Sequence, residues 1–192
     1  MNQEIFDEDL RECQAVLKAG GIILYPTDTV WGIGCDATNA EAIEKIYKLK
    51  QRAESKSMLI LVDKDARVER HYHDVPEVAW DLFEYTTKPT TLILENAYGV
   101  ADNLIAKDGT LGVRVVKNLF CQRLINRMNR PLVSTSANIS GQPTPMTFDE
   151  ISQEIIDGVD YVVRVDRKPK GGASPSTIIK LGSAGKFEFI RK

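Results

Sequence analysis

Hydrogen-bonding side chains are concentrated between residues 132 and 145, directly after a short apolar run. The hydroxyls of Ser134, Ser136 and Thr144 and the amide of Asn138 fall within this segment. Serine and asparagine also stabilise ordinary turns, so a plain surface turn remains an alternative for this segment taken alone. The density of donors and acceptors behind an apolar run nevertheless favours a site for a polar ligand.

A cluster of cations forms the second candidate feature. Lys50, Arg52 and Lys56 lie at the end of a predicted helix and in the residues after it, just before the apolar run 58–62. Such a cluster is often a solvated face, and this alternative stays open. Because guanidinium and ammonium groups bind phosphates and carboxylates well, an anion site is an equally good interpretation.

Arg114 is a third candidate, because it stands inside the apolar run 111–116. A buried guanidinium without a partner is costly, so Arg114 must either meet an anion or lie at a rim. Hydroxyls occur at two further predicted strand ends, at Thr29 and at Ser176. The segment around Thr29 is explained as well by a capping turn as by ligand binding when it is considered alone.

Common catalytic and nucleotide-binding patterns are missing from the sequence. It has neither a GxxxxGK[ST] phosphate loop nor a GxGxxG turn after a strand. Its two histidines, His71 and His73, stand close together in a polar segment, where a surface position is commoner than a metal site. No Ser-His-Asp or Cys-His arrangement can be assembled from them. If the protein is an enzyme, it should work by positioning and electrostatics.

Composition narrows the class of protein. The 192 residues are 43% hydrophobic, which suits one α/β domain over 1–192 with a substantial core. The net charge of -2 argues against a general nucleic-acid coat protein, although 25 Lys and Arg allow a local basic pocket. The start of the chain is acidic and no apolar run approaches 20 residues, which predicts a cytoplasmic protein with no membrane segment. The three cysteines are dispersed, which predicts neither a disulfide nor a zinc site.

Helical and strand patterns alternate along the chain, which predicts an α/β layer fold with ligands at the strand ends. The predicted helices cover residues 8–18, 39–50, 75–85, 119–129 and 148–156. The predicted strands cover residues 22–25, 58–62, 91–94, 111–116, 132–134, 161–165, 177–181 and 187–190. Residues 167–175, rich in Lys, Pro and Gly, are predicted to form a mobile loop.

Taken together, the motifs resemble the YrdC-like family of threonylcarbamoyl-AMP synthases, in its short single-domain form. The resemblance runs from about residue 20 to residue 191 and rests on the motifs YPTDTVWG (25–32), KQR (50–52), GVRV (112–115), STSANISG (134–141) and PSTI (175–178). It implies a YrdC-like twisted mixed sheet, flanked by helices, around a basic cavity.

The resemblance also implies an activity. A nucleotidyltransferase of this family joins L-threonine, bicarbonate or CO2, and ATP into L-threonylcarbamoyl-AMP, with release of pyrophosphate. The adenylate serves N6-threonylcarbamoylation of adenosine in tRNA, completed by other tRNA-modification proteins. Mg2+ is expected with ATP as the substrate, and neither a membrane nor DNA is an expected partner.

Residue roles follow from the same resemblance. Carried over by motif, the threonine-binding positions are Thr29, Arg114, Ser134 and Ser176. The ATP-binding positions are Arg52, Lys56, Thr110, Ser136, Asn138, Thr144 and Arg191. Lys50 belongs with Arg52 in a catalytic cationic wall that stabilises charge on the phosphates.

Two alternatives and two departures accompany this hypothesis. A protein of the same fold could bind double-stranded RNA or tRNA without synthase activity, through backbone phosphates. Carbamoyl chemistry in hydrogenase maturation is disfavoured, because the acylphosphatase-like and zinc-finger modules of such fusions are absent. Ser57 and Met58 replace the proline and leucine usual in the family, and residues 87–90 replace a proline-glycine-proline. Both changes are expected to affect the cavity rim.

Overall fold

The computed structural model describes residues 2–51, 58–168, 174–182 and 186–192. Its α-helices are α1 (Gln3–Lys18), α2 (Ala40–Leu49), α3 (Glu77–Tyr85), α4 (Leu119–Met128) and α5 (Gln153–Asp157). Short 3-10 turns cover Asp65–Arg70, Asp102–Leu104 and Phe148–Glu150. The strands are β1 (Ile23–Tyr25), β2 (Gly32–Gly34), β3 (Leu59–Val62), β4 (Thr90–Leu94), β5 (Leu111–Val115), β6 (Leu132–Ser136), β7 (Tyr161–Val162), β8 (Thr177–Leu181) and β9 (Phe187–Arg191).

One mixed sheet organises the described part of the chain. Its nine strands there follow the order β7-β1-β2-β6-β3-β5-β4-β8-β9. β3 pairs parallel to β5, whereas β6 is antiparallel to both of its neighbours, β2 and β3. The central strands are almost completely buried, because apolar residues of the core lie along them. The α/β class and the twisted mixed sheet predicted from the sequence are confirmed.

Helices cover the sheet through their apolar faces. In α1, Leu10, Cys13 and Leu17 recur at helical spacing and are buried. The rings of Phe6 in α1 and Phe120 in α4 meet edge to face, with centroids 5.6 Å apart, so these two helices pack together. The cap of α2 is Asn39, whose side chain accepts a hydrogen bond from the Ala42 amide.

Two predicted helices differ from the observed ones for identifiable reasons. α1 begins at Gln3 instead of residue 8, because the Asn2 side chain caps the helix by accepting from the Glu4 and Ile5 amides. The predicted helix 148–156 is divided into the 3-10 turn and α5. The backbone at its centre is extended at Ile151 and Ser152, which ends one helix and begins the next.

β7 is shorter than predicted because a helix side chain takes its amides. The strand ends at Val162, and the backbone amides of Arg164 and Val165 donate to the Asp9 carboxylate at 2.8 and 2.9 Å. Amides bonded to a carboxylate cannot extend a ladder. Asp9, which is fully buried, therefore ties the end of this edge strand to α1.

Candidate active site

A cavity of about 300 Å³ opens on the sheet where the central strands meet. It is lined by Thr29, Val30, Trp31, Gly32, Met58, Leu59, Thr91, Ile93, Thr110, Leu111, Gly112, Arg114, Ser134, Thr135, Ser136, Thr144, Pro175, Ser176, Ile178 and Arg191. The volume is at the lower end of the range of small-molecule sites. Residues from distant parts of the sequence, from the β1–β2 turn to β9, thus line the same cavity.

Most of the residues that the sequence predicts as ligand contacts come together here. Thr29, Thr110, Arg114, Ser134, Ser136, Thr144, Ser176 and Arg191 all line the cavity. Arg52 and Lys56 lie outside the described residues, as do Ser57 and most of the predicted loop 167–175. The ligand roles of all these residues remain predictions, whereas the convergence of the described ones is a structural fact.

Strand periodicity explains how the hydroxyls reach the cavity. Ser134 and Ser136 are two residues apart on β6, so they share one face of the strand. Gly32 on β2 and Gly112 on β5 line the same cavity and add no side chain to it. A Cβ on Gly32 would lie 3.3 Å from the Ser134 Oγ, and one on Gly112 would lie 3.1 Å from the Leu59 Cβ. The glycines therefore keep the cavity floor open.

Arg114 is the central cation of the cavity. Its side chain is only 4% exposed, and its Nη2 lies 3.1 Å from Oδ1 of Asp28. This pair is an ion pair without the alignment of a hydrogen bond, and the buried Arg114 Nε has no hydrogen-bond partner among the described residues. A buried guanidinium with unused N–H donors is suited to bind a carboxylate or a phosphate.

Arg191 supplies a second guanidinium at the same cavity. Its Nε donates to the Ser176 carbonyl at 2.9 Å, and its Nη2 lies 3.3 Å from the Ser176 hydroxyl, which also contacts Thr91. Burial lowers the pKa of Arg191, and the charge of Arg114 lowers this pKa further. Two like charges that disfavour each other across one cavity would both be stabilised by an anion between them.

Thr110 enters the cavity with its hydroxyl already oriented. Its Oγ1 donates to Asp108 at 2.7 Å, and its backbone amide contacts the same carboxylate. Hydrogen bonds from Thr110 and Lys180 lower the pKa of Asp108 to about 2. Because the Thr110 proton is used by Asp108, the Thr110 oxygen offers lone pairs to a ligand.

Lys50 and Asn138 occupy supporting positions and are not among the lining residues. The Lys50 side chain is buried, and its Nζ donates to the carbonyls of Ser136 and Asn138 at 2.5 Å each. The Asn138 amide donates to the Ile139 and Gln142 carbonyls. Lys50 therefore holds the backbone that carries Ser136, and its membership of a catalytic cationic wall stays a prediction.

Several lining residues could not be singled out from the sequence. Met58, Ile93 and Ile178 belong to apolar strand patterns, which predict core positions and give no sign of a ligand. Trp31 also lines the cavity, and its ring packs on Phe148 with centroids 4.9 Å apart. Asp28 stands beside Thr29 in the sequence, but its pairing with Arg114 joins residues that are distant in sequence.

The remaining candidate features are accounted for outside this cavity. His71 is buried, and the ring of His73 stacks on Tyr98 with centroids 4.0 Å apart. Cys13, Cys35 and Cys121 are free and buried. Over the described ranges, no three His, Cys, Asp or Glu side chains are grouped as a metal site requires. The helices within those ranges are also too short or too polar to cross a bilayer.

The fold and the cavity together define an α/β protein with a buried arginine at a cavity of small-molecule size. Comparison with known families identifies it further: the family model Sua5_yciO_yrdC, described as Telomere recombination, matches residues 15–192. The chain belongs to this family. This confirms the resemblance that the motifs indicate.

Individual relatives support the assignment. A threonylcarbamoyl-AMP synthase of Pseudoalteromonas translucida is 33% identical over 165 residues, which are 84% of this chain and 87% of the relative. The E. coli YciO crystal structure matches 95% of this chain and 88% of its own at 25% identity, with a TM-score of 0.79. P. abyssi Sua5 complexed with L-threonine matches at 25% identity with a TM-score of 0.78 over 90% of this chain. The chain spans 50% of that Sua5 chain.

Proposed function

We propose that the protein is an L-threonylcarbamoyl-AMP synthase, a nucleotidyltransferase that uses L-threonine, bicarbonate or CO2, and ATP. The observation that carries this proposal is Arg114, a buried guanidinium with an unpartnered Nε among the described residues, at a cavity lined with hydroxyls. Curated relatives at 33% identity bear the name of this activity. A Sua5 relative of the same fold is described as complexed with L-threonine.

The threonine end of the site centres on Arg114. Its guanidinium would bind the substrate carboxylate, because a planar fork of donors matches a carboxylate in shape and charge. Thr29, Ser134 and Ser176 would hydrogen-bond the amino and hydroxyl groups of the amino acid. All three are largely buried, so the amine would lose water and its neutral form, which captures CO2, would be favoured.

The ATP end lies toward Ser136, Thr144 and Arg191. Arg191 would pair with phosphate oxygens, and the Thr110 oxygen would accept a hydrogen bond from the nucleotide. The described lining residues include hydroxyls but no carboxylate, so Mg2+ would enter as the Mg2+–ATP substrate, held mainly by the phosphates. Arg52 and Lys56, outside the described residues, are proposed to complete this cationic side.

The chemistry then needs no dedicated general base. The threonine amine adds to CO2 and releases a proton to bicarbonate or water, which gives a carbamate. A carbamate oxygen forms a bond to the α-phosphorus, and the bond from that phosphorus to the bridging oxygen breaks, which releases pyrophosphate. Negative charge grows on the phosphates, and fixed cations such as Arg191 would stabilise it without reorganisation.

An RNA-binding module without synthase activity fits the cavity less well. Double-stranded RNA is bound across its shallow minor groove by contacts to backbone and 2'-hydroxyl groups. Here the polar groups converge inside a cavity of about 300 Å³, which suits a small ligand. The product is proposed to pass to other tRNA-modification proteins in the cytoplasm, for N6-threonylcarbamoylation of tRNA.

Product formation tests the proposal directly. The purified protein would be incubated with ATP, Mg2+, bicarbonate and L-threonine, with pyrophosphate release and the adenylate followed in parallel by a coupled assay and mass spectrometry. Adenylate that requires both threonine and bicarbonate is the expected result. Binding of ATP or of duplex RNA without any adenylate would reject the synthase and favour the binding module.

A further inference from the structure

We infer that Asp28 is a positioning residue that holds the Arg114 guanidinium in the orientation needed to bind the carboxylate of the amino-acid substrate. The inference rests on the proposed function and adds to it a residue that is not among the lining residues of the cavity. Asp28 would act on the substrate only through Arg114. It would therefore set affinity for the amino acid and leave affinity for ATP nearly unchanged.

The geometry places Asp28 behind Arg114. Its Oδ1 lies 3.1 Å from the Arg114 Nη2, and its Oδ2 accepts a hydrogen bond from the Lys117 amide at 3.0 Å. Lys117 follows the end of β5, the strand that carries Arg114. One carboxylate thus joins the β1–β2 turn to β5 and fixes its own position against the arginine that it contacts.

Burial makes this contact consequential. The side chains of Arg114 and Asp28 are 4% and 10% exposed, so bulk water screens the attraction between them only weakly. Charge attraction is strong in such surroundings, and an uncompensated guanidinium would turn toward any available acceptor. Arg191 adds a second positive charge nearby, which increases the need for a fixed counter-ion.

The incomplete alignment of the pair leaves donors for a ligand. Asp28 Oδ1 makes no hydrogen bond within the described residues, although it lies at ion-pair distance, and the Arg114 Nε is likewise unpartnered there. The carboxylate consequently holds the guanidinium by charge and leaves its N–H donors uncommitted. A substrate carboxylate at the cavity could then take two of them in parallel.

Asp28→Asn is the informative variant, because it keeps the shape of the side chain and removes its charge. The matched control is Asp36→Asn. Asp36 is also a buried aspartate paired with an arginine, at 2.7 Å from Arg130, but neither Asp36 nor Arg130 lines the cavity. Full-length wild type and both variants would be compared by calorimetric binding of L-threonine and L-threoninamide, by KM for threonine and for ATP, and by urea unfolding.

We expect Asp28→Asn to weaken L-threonine binding and raise its KM by about tenfold, with the KM for ATP changed less than about twofold. Wild type should prefer L-threonine over the uncharged amide, and the variant should lose most of that preference. Asp36→Asn should keep the preference even if its unfolding midpoint falls. This split separates positioning from a general loss of structure.

Equal increases in both KM values, unchanged discrimination against the amide, or tighter threonine binding in Asp28→Asn would overturn the inference. Tighter binding would mean that Asp28 competes with the substrate for Arg114. A wild-type protein that binds threonine but makes no adenylate would reject the proposed function, while the binding comparison would still decide the role of Asp28. Failure of the wild type to bind threonine would reject both.

Discussion

The Lys50 ammonium lies 2.5 Å from the backbone carbonyl oxygen of Ser136, beneath the segment that carries the cavity hydroxyls. The lysine is 1% exposed at the end of α2, and it makes a second hydrogen bond to the carbonyl of Asn138. The Lys50 side chain thereby holds two backbone carbonyls, one in the last residue of β6 and one just after it. The position of the Ser136 hydroxyl depends on this contact, although Lys50 itself lies outside the cavity wall.

Lys50→Met should lower both stability and activity. Methionine has similar length but cannot donate, so two buried carbonyls lose a charged donor, at a cost of about 2 kcal/mol in the free energy of unfolding. Urea unfolding measures this cost. Lys48→Met on the same helix is the matched control, because Lys48 is 75% exposed and should leave stability almost unchanged. An inactive Lys50→Met protein with wild-type stability would instead indicate direct catalysis.

Arg114→Ala should raise the threonine requirement far more than the ATP requirement. Loss of a charged, two-pronged hydrogen bond corresponds to an increase of about 10-fold to 100-fold in the KM for threonine. Steady-state kinetics with each substrate varied in turn would measure the two effects. Arg130→Ala is the control, because it also deprives a buried carboxylate, Asp36, of its arginine. Equal increases for both substrates would contradict the assignment of Arg114 to threonine.

The sequence identifies the cavity residues better than it identifies their supports. Arg114 and Ser176 stand out because their polar side chains interrupt or precede apolar strands, and both line the cavity. Lys50 is equally conspicuous, yet it supports the cavity from beneath. Its location depends on contacts with Ser136 and Asn138, more than 80 residues away, and such distant contacts cannot be inferred from local spacing.

Asp9→Asn should lower the free energy of unfolding at neutral pH. It should also make that free energy less dependent on pH in the acidic range. Burial alone would raise the pKa of Asp9, but hydrogen bonds from Arg164, Tyr161 and Val165 outweigh burial and lower this pKa below its usual value. A carboxyl with a lowered pKa in the folded state stabilises the protein above about pH 4. That contribution is lost as the pH falls through the lower folded-state pKa.

The measurement for Asp9 is urea unfolding at pH 7, 5 and 3. At pH 7 we expect the variant to lose about 2 kcal/mol, because charge-assisted hydrogen bonds are removed. Below about pH 4 the stabilities of variant and wild type should converge. Asp7→Asn, on the same helix but half exposed, serves as the control. Parallel pH curves for Asp9→Asn and wild type would show that the carboxyl pKa is not lowered by folding.

β2 is the strand that sequence patterns did not predict. Gly32, Ile33 and Gly34 have little of the β-branched or aromatic character of strands, and the glycines are more typical of a turn. Tertiary packing makes them a strand: β2 lies between β1 and β6, and all three residues are buried. Glycine is needed here because β1 and β6 pack closely on both sides of β2. These contacts join residues distant in sequence, so the local sequence alone does not predict the strand.

Gly34→Ala provides the sharpest test of that packing. An added Cβ would lie 2.2 Å from the Val133 carbonyl oxygen and 2.7 Å from the Tyr25 ring, and the former is backbone that cannot move without disturbing the sheet. We expect a loss of about 3 kcal/mol in the free energy of unfolding, measured with urea. Gly109→Ala is the control, since its Cβ would meet no atom within 4 Å and only its φ of +76° is unfavourable for alanine, which costs about 1 kcal/mol. Equal losses for the two variants would mean that β2 and β6 can separate to admit a methyl group, and that the cavity floor beside Ser134 is not rigid.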